Sequence, residues 1–146
     1  MTVEEQRIEE IPLDTLLERV QGMLTEGCRL VQICCTRLDA DHEVNYSFDR
    51  GPGSPARGLG ALPGSRVKSA ASVTPCSFHT LRVRLPLENP RLPSISRFYW
   101  SAFLYENEIH DLFGVEVRGM AVDFQGKFYR TAVPTPYARK ETGNAE

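Results

Sequence analysis

The feature that most constrains the fold is one strongly marked amphipathic helix in the second half of the chain. Its apolar residues follow one another at spacings of 4, 3, 4, 3 and 1, and they are Phe98, Ala102, Tyr105, Ile109, Leu112 and Phe113. With about 3.6 residues per turn, this spacing keeps them on one side of a helix. Gly114 follows directly, where a left-handed residue commonly ends a helix. Because a one-sided helix must bury its apolar side, the chain has to supply a second layer.

The first fifty residues supply part of that layer. Apolar residues at helical spacing predict a helix from Pro12 to Glu26, ended by Gly27. The segment from Arg29 to Leu38 is rich in β-formers and apolar on both faces, which predicts a strand in the centre of a sheet. A polar turn at residues 39–42 and clean alternation from Glu43 to Asp49 predict an antiparallel hairpin.

Three further segments complete the prediction. A third strand is expected from Ser77 to Leu87, and two short strands from Val115 to Arg118 and from Met120 to Phe124. Residues 50–75 are mostly Gly, Pro, Ala and Ser with little to bury, so we expect an irregular or disordered, flexible loop there. The predicted fold is a two-layer α+β domain over residues 1–132, with a small mixed or antiparallel sheet and an extended or disordered tail over residues 133–146.

Composition excludes several classes of protein. The 146 residues have 41% hydrophobic content and a formal net charge of −2, as in a soluble globular domain. No apolar run approaches the roughly 18 residues that a membrane span needs, and the acidic N-terminus has no signal-peptide pattern. The four cysteines show no C-x-x-C pair, which argues against a disulfide scaffold or a metal-cluster carrier: Cys28, Cys34, Cys35 and Cys76.

One charge asymmetry is visible along the chain. Between residues 50 and 87 there are six basic residues and no acidic one: Arg50, Arg57, Arg66, Lys68, Arg82 and Arg84. Such a segment suits an acidic partner or a nucleic-acid backbone, or it simply keeps a loop solvated. Phe78 is the one Phe, Tyr or Trp in this stretch of the sequence, which is too few rings for a platform that stacks on bases, so we expect no nucleic-acid partner.

The second helix also carries the most concentrated chemistry. Glu106 and His110 lie one turn apart on one side, where they can donate two metal ligands, act as an acid–base pair, or form an ordinary exposed helix pair. No second His-rich segment supplies the third ligand that a catalytic metal usually has, so we expect no metal and no catalytic residue in this chain.

Glu108 and Asp111 form a second acidic pair on another side of this helix. Two neighbouring carboxylates repel unless a basic group meets them. The sequence leaves two interpretations open: a helix surface satisfied within the chain, or a pairing with an arginine. The candidates within the chain are Arg82, Arg84 and Arg130, and a partner protein is the other source.

The residues of this region resemble a known family. The string Pro93-Ser94-Ile95-Ser96, followed by Tyr105-Glu106-Asn107-Glu108-Ile109-His110-Asp111-Leu112-Phe113-Gly114-Val115, is similar to the signature of the C subunit of respiratory complex I. Homologues of that family are subunits of membrane-bound, energy-converting [NiFe] hydrogenases. The order of helix, hairpin and strand also suits the family, so the resemblance extends from about Leu13 to Arg130.

The chain departs from the complex I pattern in two places. Asn107 stands where the signature has arginine, and the usual Gly-His-Pro-Asp-Leu-Arg-Arg is missing after Phe113-Gly114. The ending Gly126-Lys127-Phe128-Tyr129-Arg130 looks more like the small D subunit of Ech-type hydrogenases. The resemblance therefore favours the hydrogenase branch over an NADH:quinone oxidoreductase.

The resemblance implies a non-catalytic accessory subunit of an oxidoreductase complex that couples ferredoxin oxidation and proton reduction to ion translocation. Such a subunit holds no cofactor, since the NiFe centre and the iron–sulfur clusters belong to its partner subunits. It packs on the large catalytic subunit, on the cytoplasmic face of the inner membrane, and is expected to self-associate when isolated. The expected partner-interface residues are Glu106, Glu108, His110, Asp111 and Arg130. The alternatives are the C subunit of an NADH:quinone oxidoreductase and a stand-alone metal-dependent enzyme using Glu106 and His110.

Overall fold

The computed structural model describes residues 6–50 and 77–138, which form six strands, two α-helices and one 3-10 turn. The strands are β1 (Gln6–Glu10), β2 (Arg29–Arg37), β3 (Asp41–Arg50), β4 (Ser77–Pro86), β5 (Arg91–Pro93) and β6 (Glu116–Arg118). The helices are α1 (Leu16–Thr25), which follows the 3-10 turn Leu13–Thr15, and α2 (Ala102–Phe113). The two-layer α+β prediction is confirmed, as are both helices, the hairpin and the third strand.

The main sheet has the strand order β1-β4-β3-β2. Neighbours β2 and β3, and β3 and β4, are antiparallel, whereas β1 joins β4 in parallel, so the sheet is mixed. A separate pair, β5 and β6, is parallel and brackets α2 in the chain. Because β5 precedes α2 and β6 follows it, this small pair fixes both ends of the helix relative to each other.

The core lies on one face of the main sheet. Strand register places Tyr46 opposite Leu81 and Val44 opposite Val83, so that alternate residues of β3 and β4 share this face. Helices α1 and α2 bury their apolar sides in the same cluster. The fully covered side chains include Leu16, Val20, Val44, Phe48, Leu81, Val83, Ile95, Ala102 and Val115. The period-two and helical patterns of the sequence therefore converge on one core.

The prediction that the first hairpin strand is central is wrong, because β2 is an edge strand of the sheet. A β-bulge shifts the register between Leu30 and Gln32, and Val31 is the extra residue. As a result Leu30 and Ile33 face the core on the same side although they differ by three positions. In a regular strand Leu30 and Ile33 would lie on opposite faces, but the bulge places both of them on the core face.

The sequence also misplaces the chain after α2. The predicted strand from Met120 to Phe124 is wrong, since residues 119–124 form a turn and bends whose backbone groups bind α2 side chains. Arg50 belongs to β3, and the rest of the predicted Gly/Pro loop lies outside the described residues. Residues 131–138 turn back, and the Tyr137 N–H donates to the Leu112 carbonyl at 2.9 Å. The remainder of the predicted tail lies outside the described part of the chain.

Strand β1 was not predicted, because its sequence is almost entirely polar and its ladder partner β4 lies about seventy residues away. A side-chain contact fixes it to α1: both carboxylate oxygens of Glu9 accept hydrogen bonds from Arg19, at 2.7 and 2.6 Å. His79 of β4 lies 3.3 Å from the same carboxylate. The hydrogen bond from Arg19 lowers the pKa of Glu9 from its ordinary value of 4.5 to about 2.

We expect this contact to make the free energy of unfolding decrease as the pH falls into the acid range. A carboxyl whose pKa is lowered on folding stabilises the folded state above its unfolded pKa, and this contribution is lost as the pH falls from 4.5 toward about 2. Urea unfolding at pH 7 and pH 3 measures it, with Glu9→Gln expected to reduce the difference between the two pH values. Glu88→Gln, at an exposed position beyond β4, is the matched control. An equal acid response of Glu9→Gln and the wild type would contradict this assignment.

Candidate functional site

Helix α2 carries the candidate site on two sides. Glu106 shares the core-facing side with Ala102 and Ile109, whereas Asn107, Glu108 and Asp111 lie on the opposite side.

The helix ends at Gly114, whose φ of 70° places it in the left-handed region and whose N–H donates to the His110 carbonyl at 3.0 Å. A Cβ at Gly114 would also lie 3.2 Å from Cγ2 of Thr135, so both backbone conformation and space favour glycine. This ending directs the chain into β6, after which Ala121 lies beside Ser96, ahead of the start of α2.

Glu106 is buried, with 2% of its surface exposed. One carboxylate oxygen accepts the Ile95 N–H at 2.7 Å and the other accepts the Ser94 hydroxyl at 2.6 Å. Because the Ser94 proton is used in this way, Ser96 donates to Ser94 Oγ at 2.7 Å and accepts the Ala121 N–H at 3.0 Å. Burial raises the pKa of Glu106, and its two hydrogen bonds oppose that rise. The carboxylate thus joins the turn before α2 to the chain after β6.

Asn107 uses its whole side-chain amide in a similar way. Its Nδ2 donates to the carbonyls of Phe103 and Val122, at 2.7 and 2.9 Å, and its Oδ1 accepts the Phe124 N–H at 3.0 Å. The residue is completely buried. A short amide at this position reaches backbone donors and acceptors directly, which gives a physical reason for asparagine where the resembled signature has arginine.

The two remaining carboxylates bind the same stretch further along. Asp111 is 7% exposed, and one of its oxygens accepts the Tyr129 N–H at 2.8 Å. Glu108 accepts the Tyr129 hydroxyl at 3.1 Å. The interpretation of a helix surface satisfied within the chain is thus supported in part for this pair. Backbone and hydroxyl donors reach both residues, but Asp111 Oδ1 is buried without a hydrogen-bond partner in the described part of the chain. Within the described residues, none of the three candidate arginines forms an ion pair with either carboxylate.

A backbone carbonyl just beyond the C-terminal end of α2 orients the His110 ring. Its Nδ1 lies 2.9 Å from the Val115 carbonyl, which can only accept, so Nδ1 carries a proton and donates this hydrogen bond. Gly126 lies over Nε2, since a Cβ built there would be 3.9 Å from it. Both oxygens of Glu106 are already engaged elsewhere, so the pair Glu106–His110 does not act as a unit. In the described ranges no three His, Cys, Asp or Glu side chains converge as metal ligands do.

These contacts define one arrangement, which we name the clasp. Four polar side chains of α2 hold residues 121–129, the clasped segment, against the helix: Glu106 (indirectly, through Ser94 and then Ser96), Asn107, Glu108 and Asp111. The segment runs in the same direction as α2, since position 107 meets residues 122 and 124 and position 111 meets residue 129. Chemically, the arrangement fixes a backbone without regular secondary structure.

The predicted interface residues therefore fall into two groups. Glu106 and Asp111 are buried and bind their own chain, whereas Glu108 and His110 are half-buried and Arg130 is exposed. As a partner interface the set stays a prediction. Ser94, Ser96 and Asn107 complete the clasp and were not predicted as site residues. The place of the two serines in the motif before the helix could have identified them as site residues. The periodicity of the sequence gave no such signal for Asn107.

The basic segment is partly neutralised in the structure. Arg50 pairs with Glu26 at 3.2 Å, and Arg82 pairs with Glu43 at 3.2 Å. Arg84 meets carboxylates of three residues, at distances of 3.2 and 3.3 Å. The other three basic residues lie outside the described residues. Three of the six cations are thus paired on the sheet, which leaves less charge for a nucleic-acid backbone.

Neither α-helix of the described chain is long and apolar enough to cross a bilayer. The fold and the clasp together define a small α+β domain in which a charged helix holds its own following segment. The family model of the respiratory-chain NADH dehydrogenase 30 kDa subunit matches residues 15–124, and the chain belongs to this family. The resemblance to the complex I family is thereby confirmed.

Three individual relatives are informative. A stretch of 39 residues is 51% identical to the C/D subunit of the NADH-quinone oxidoreductase of Gluconacetobacter diazotrophicus, covering 27% of this chain and only 6% of that protein. A chain of the membrane-bound sulfane sulfur reductase, an archaeal respiratory membrane complex, has a TM-score of 0.63 at 18% identity, over 86% of this chain and 64% of that one. The trypsin-resistant fragment of Nqo5 has a TM-score of 0.57 at 22% identity, over 80% and 82%. Both solved structures are less than 25% identical to this chain, so these two similarities show a shared fold alone.

Proposed function

We propose that the chain is a non-catalytic accessory subunit of a complex I-like, membrane-associated oxidoreductase. The observation that carries the proposal is the clasp, because the charged side chains of the family motif serve the chain's own backbone instead of lining a site for substrate. Family membership over residues 15–124 supports the same role. In this proposal the protein packs on the large catalytic subunit and holds no cofactor itself. It is peripheral to the cytoplasmic face of the inner membrane.

Within this class we favour an energy-converting [NiFe] hydrogenase of the Ech type, where ferredoxin-linked proton reduction is coupled to ion translocation. The sequence after Gly114 supports this branch, since it lacks the complex I motif and ends in Gly126-Lys127-Phe128-Tyr129-Arg130. The second candidate is the C subunit of an NADH:quinone oxidoreductase. It is favoured by the 39-residue match to a protein of such a complex.

A native pull-down tests the proposal. The tagged full-length chain is expressed in its own cells, isolated in mild detergent, and its partners are identified by mass spectrometry. We expect membrane subunits together with a large catalytic subunit, whose nickel-binding or quinone-reductase character separates the two branches. Recovery of the chain alone, carrying stoichiometric metal that His110→Ala removes, would contradict the proposal and favour the metal-dependent enzyme.

A further inference from the structure

We infer that the outer side of the clasped segment, with Arg130, is a preformed docking surface for an apolar patch bordered by carboxylates on the large subunit. The inference rests on the proposed function, because it takes the partner to be that subunit. It goes further by assigning the surface and the chemistry of what binds there. Helix α2 holds the backbone of the segment and the Tyr129 hydroxyl from the inside, and the exposed parts of the aromatic and basic side chains form the outer side.

The outward side chains are unusually aromatic. Phe124 is 40% exposed and Tyr129 is 43% exposed. Phe128 lies between them, with ring centroids 5.2 Å from Phe124 and 4.9 Å from Tyr129. Clustered exposed rings mark interaction sites more often than plain surface, since aromatic residues are enriched at interface centres. The three rings therefore supply the apolar part of the surface.

Two cations border the rings. Lys127 and Arg130 are both exposed, and neither has a carboxylate within ion-pair distance among residues 6–50 and 77–138. Most arginines of the sheet and of β6 are paired, as shown by Arg82 and Arg118. Two unmatched cations beside an apolar cluster complement a surface with carboxylates at its rim. Asp123 and Glu108 lie nearby, so the positive charge is too small to favour a nucleic acid or an anionic membrane.

The backbone of this surface is fixed before any partner arrives. Residues 124–127 form a turn closed by the Lys127 N–H donating to the Phe124 carbonyl at 3.0 Å. Both central residues have left-handed φ values, 54° at Gln125 and 76° at Gly126. The clasp fixes the chain on either side, through Phe124 and Tyr129. A rigid surface loses little conformational entropy on binding, which is the energetic advantage of building it this way.

Charge reversal at the two cations tests the inference. Tagged wild type and the K127E/R130E variant are expressed in the source cells, and the large subunit recovered from detergent-solubilised membranes is quantified. We expect the variant to recover about tenfold less of it at low ionic strength, with a smaller difference in about 0.5 M salt, where charges are screened. The matched control is R7E/R97E, which makes the same change in net charge at exposed positions elsewhere. We expect the control to stay within about twofold of the wild type.

The outcomes separate this inference from the proposed function. Equal recovery by wild type and K127E/R130E overturns the docking surface while the accessory role stands. No large subunit with the wild type overturns the proposed function itself. If the wild type instead recovers untagged copies of its own chain, and K127E/R130E abolishes this, the surface binds a second copy and the inference is overturned.

A second pair of variants tests the aromatic part of the surface. Phe124→Ala removes an exposed ring, and Ile8→Ala removes an apolar side chain that is 50% exposed on β1. We expect Phe124→Ala to lower recovery of the large subunit by about fivefold or more, and Ile8→Ala to leave it unchanged. Equal recovery by the two variants would leave the rings without a role in docking and overturn that part of the inference.

Discussion

Replacing Glu106 with alanine is expected to lower the free energy of unfolding by about 3 kcal/mol or more, because it leaves two buried donors without an acceptor. These donors are the Ser94 hydroxyl and the Ile95 N–H, which the carboxylate accepts at 2.6 and 2.7 Å. Urea unfolding of the purified chain, followed by circular dichroism, measures the change. Glu108→Ala is the matched control, since it removes a half-buried carboxylate two positions along the same helix and loses only the Tyr129 hydroxyl.

The same side chain predicts a pH dependence. Burial raises the pKa of Glu106 above its ordinary value of 4.5, so the folded state binds its proton more tightly than the unfolded state does. The corresponding stabilisation is present below pH 4.5 and is lost as the pH rises through the folded-state pKa. We therefore expect Glu106→Gln to be less stable than the wild type at low pH, and we expect the difference in free energy of unfolding between the two proteins to become smaller as the pH rises.

If Glu106→Ala is as stable as Glu108→Ala, the result would contradict the buried-donor argument.

Replacing Asn107 with alanine is expected to cost about 2–4 kcal/mol, because the Val122 carbonyl and the Phe124 N–H both lose their partner. The loss should be local as well as global. Hydrogen exchange at the Phe124 amide is expected to accelerate by at least about tenfold more than exchange in β3, since the clasped segment loses its central contact while the sheet keeps its ladder.

The control for this variant is Asn89→Ala, at an exposed asparagine between β4 and β5 that accepts one hydrogen bond from Arg91 at 3.1 Å. It should change the free energy of unfolding by no more than about 0.5 kcal/mol. If Asn107→Ala matches it in stability and in Phe124 exchange, the clasp does not hold the segment.

Local patterns predict the parts of this fold that depend on local physics. The alternation of Val44, Tyr46 and Phe48 follows from the two-residue repeat of a strand, and the structure buries all three. The left-handed end of α2 at Gly114 follows from helix geometry and was predicted in the same way. Each of these two predictions depends only on residues that are close together in the sequence.

Contacts between distant segments explain what the sequence could not predict. Strand β1 forms because β4, far along the chain, offers a parallel edge. The partners of Glu106 and Asp111 are backbone N–H groups of Ile95 and Tyr129, which every residue except proline possesses. The arginine side chains that the sequence offered as partners are therefore the wrong kind of donor. Acidic residues on a helix were predicted correctly, but their partners depend on where the following segment lies.

The bulge at Val31 has a consequence for how this protein behaves in a crowded cell. The outer edge of a sheet is a template onto which foreign strands add, and this is a common route to aggregation. On β2 the extra residue interrupts the regular ladder, and the Tyr105 hydroxyl occupies the Val31 carbonyl at 3.1 Å. A newly made chain thus has one of the two edges of its main sheet protected by its own helix, independently of any assembly that later covers its other surfaces.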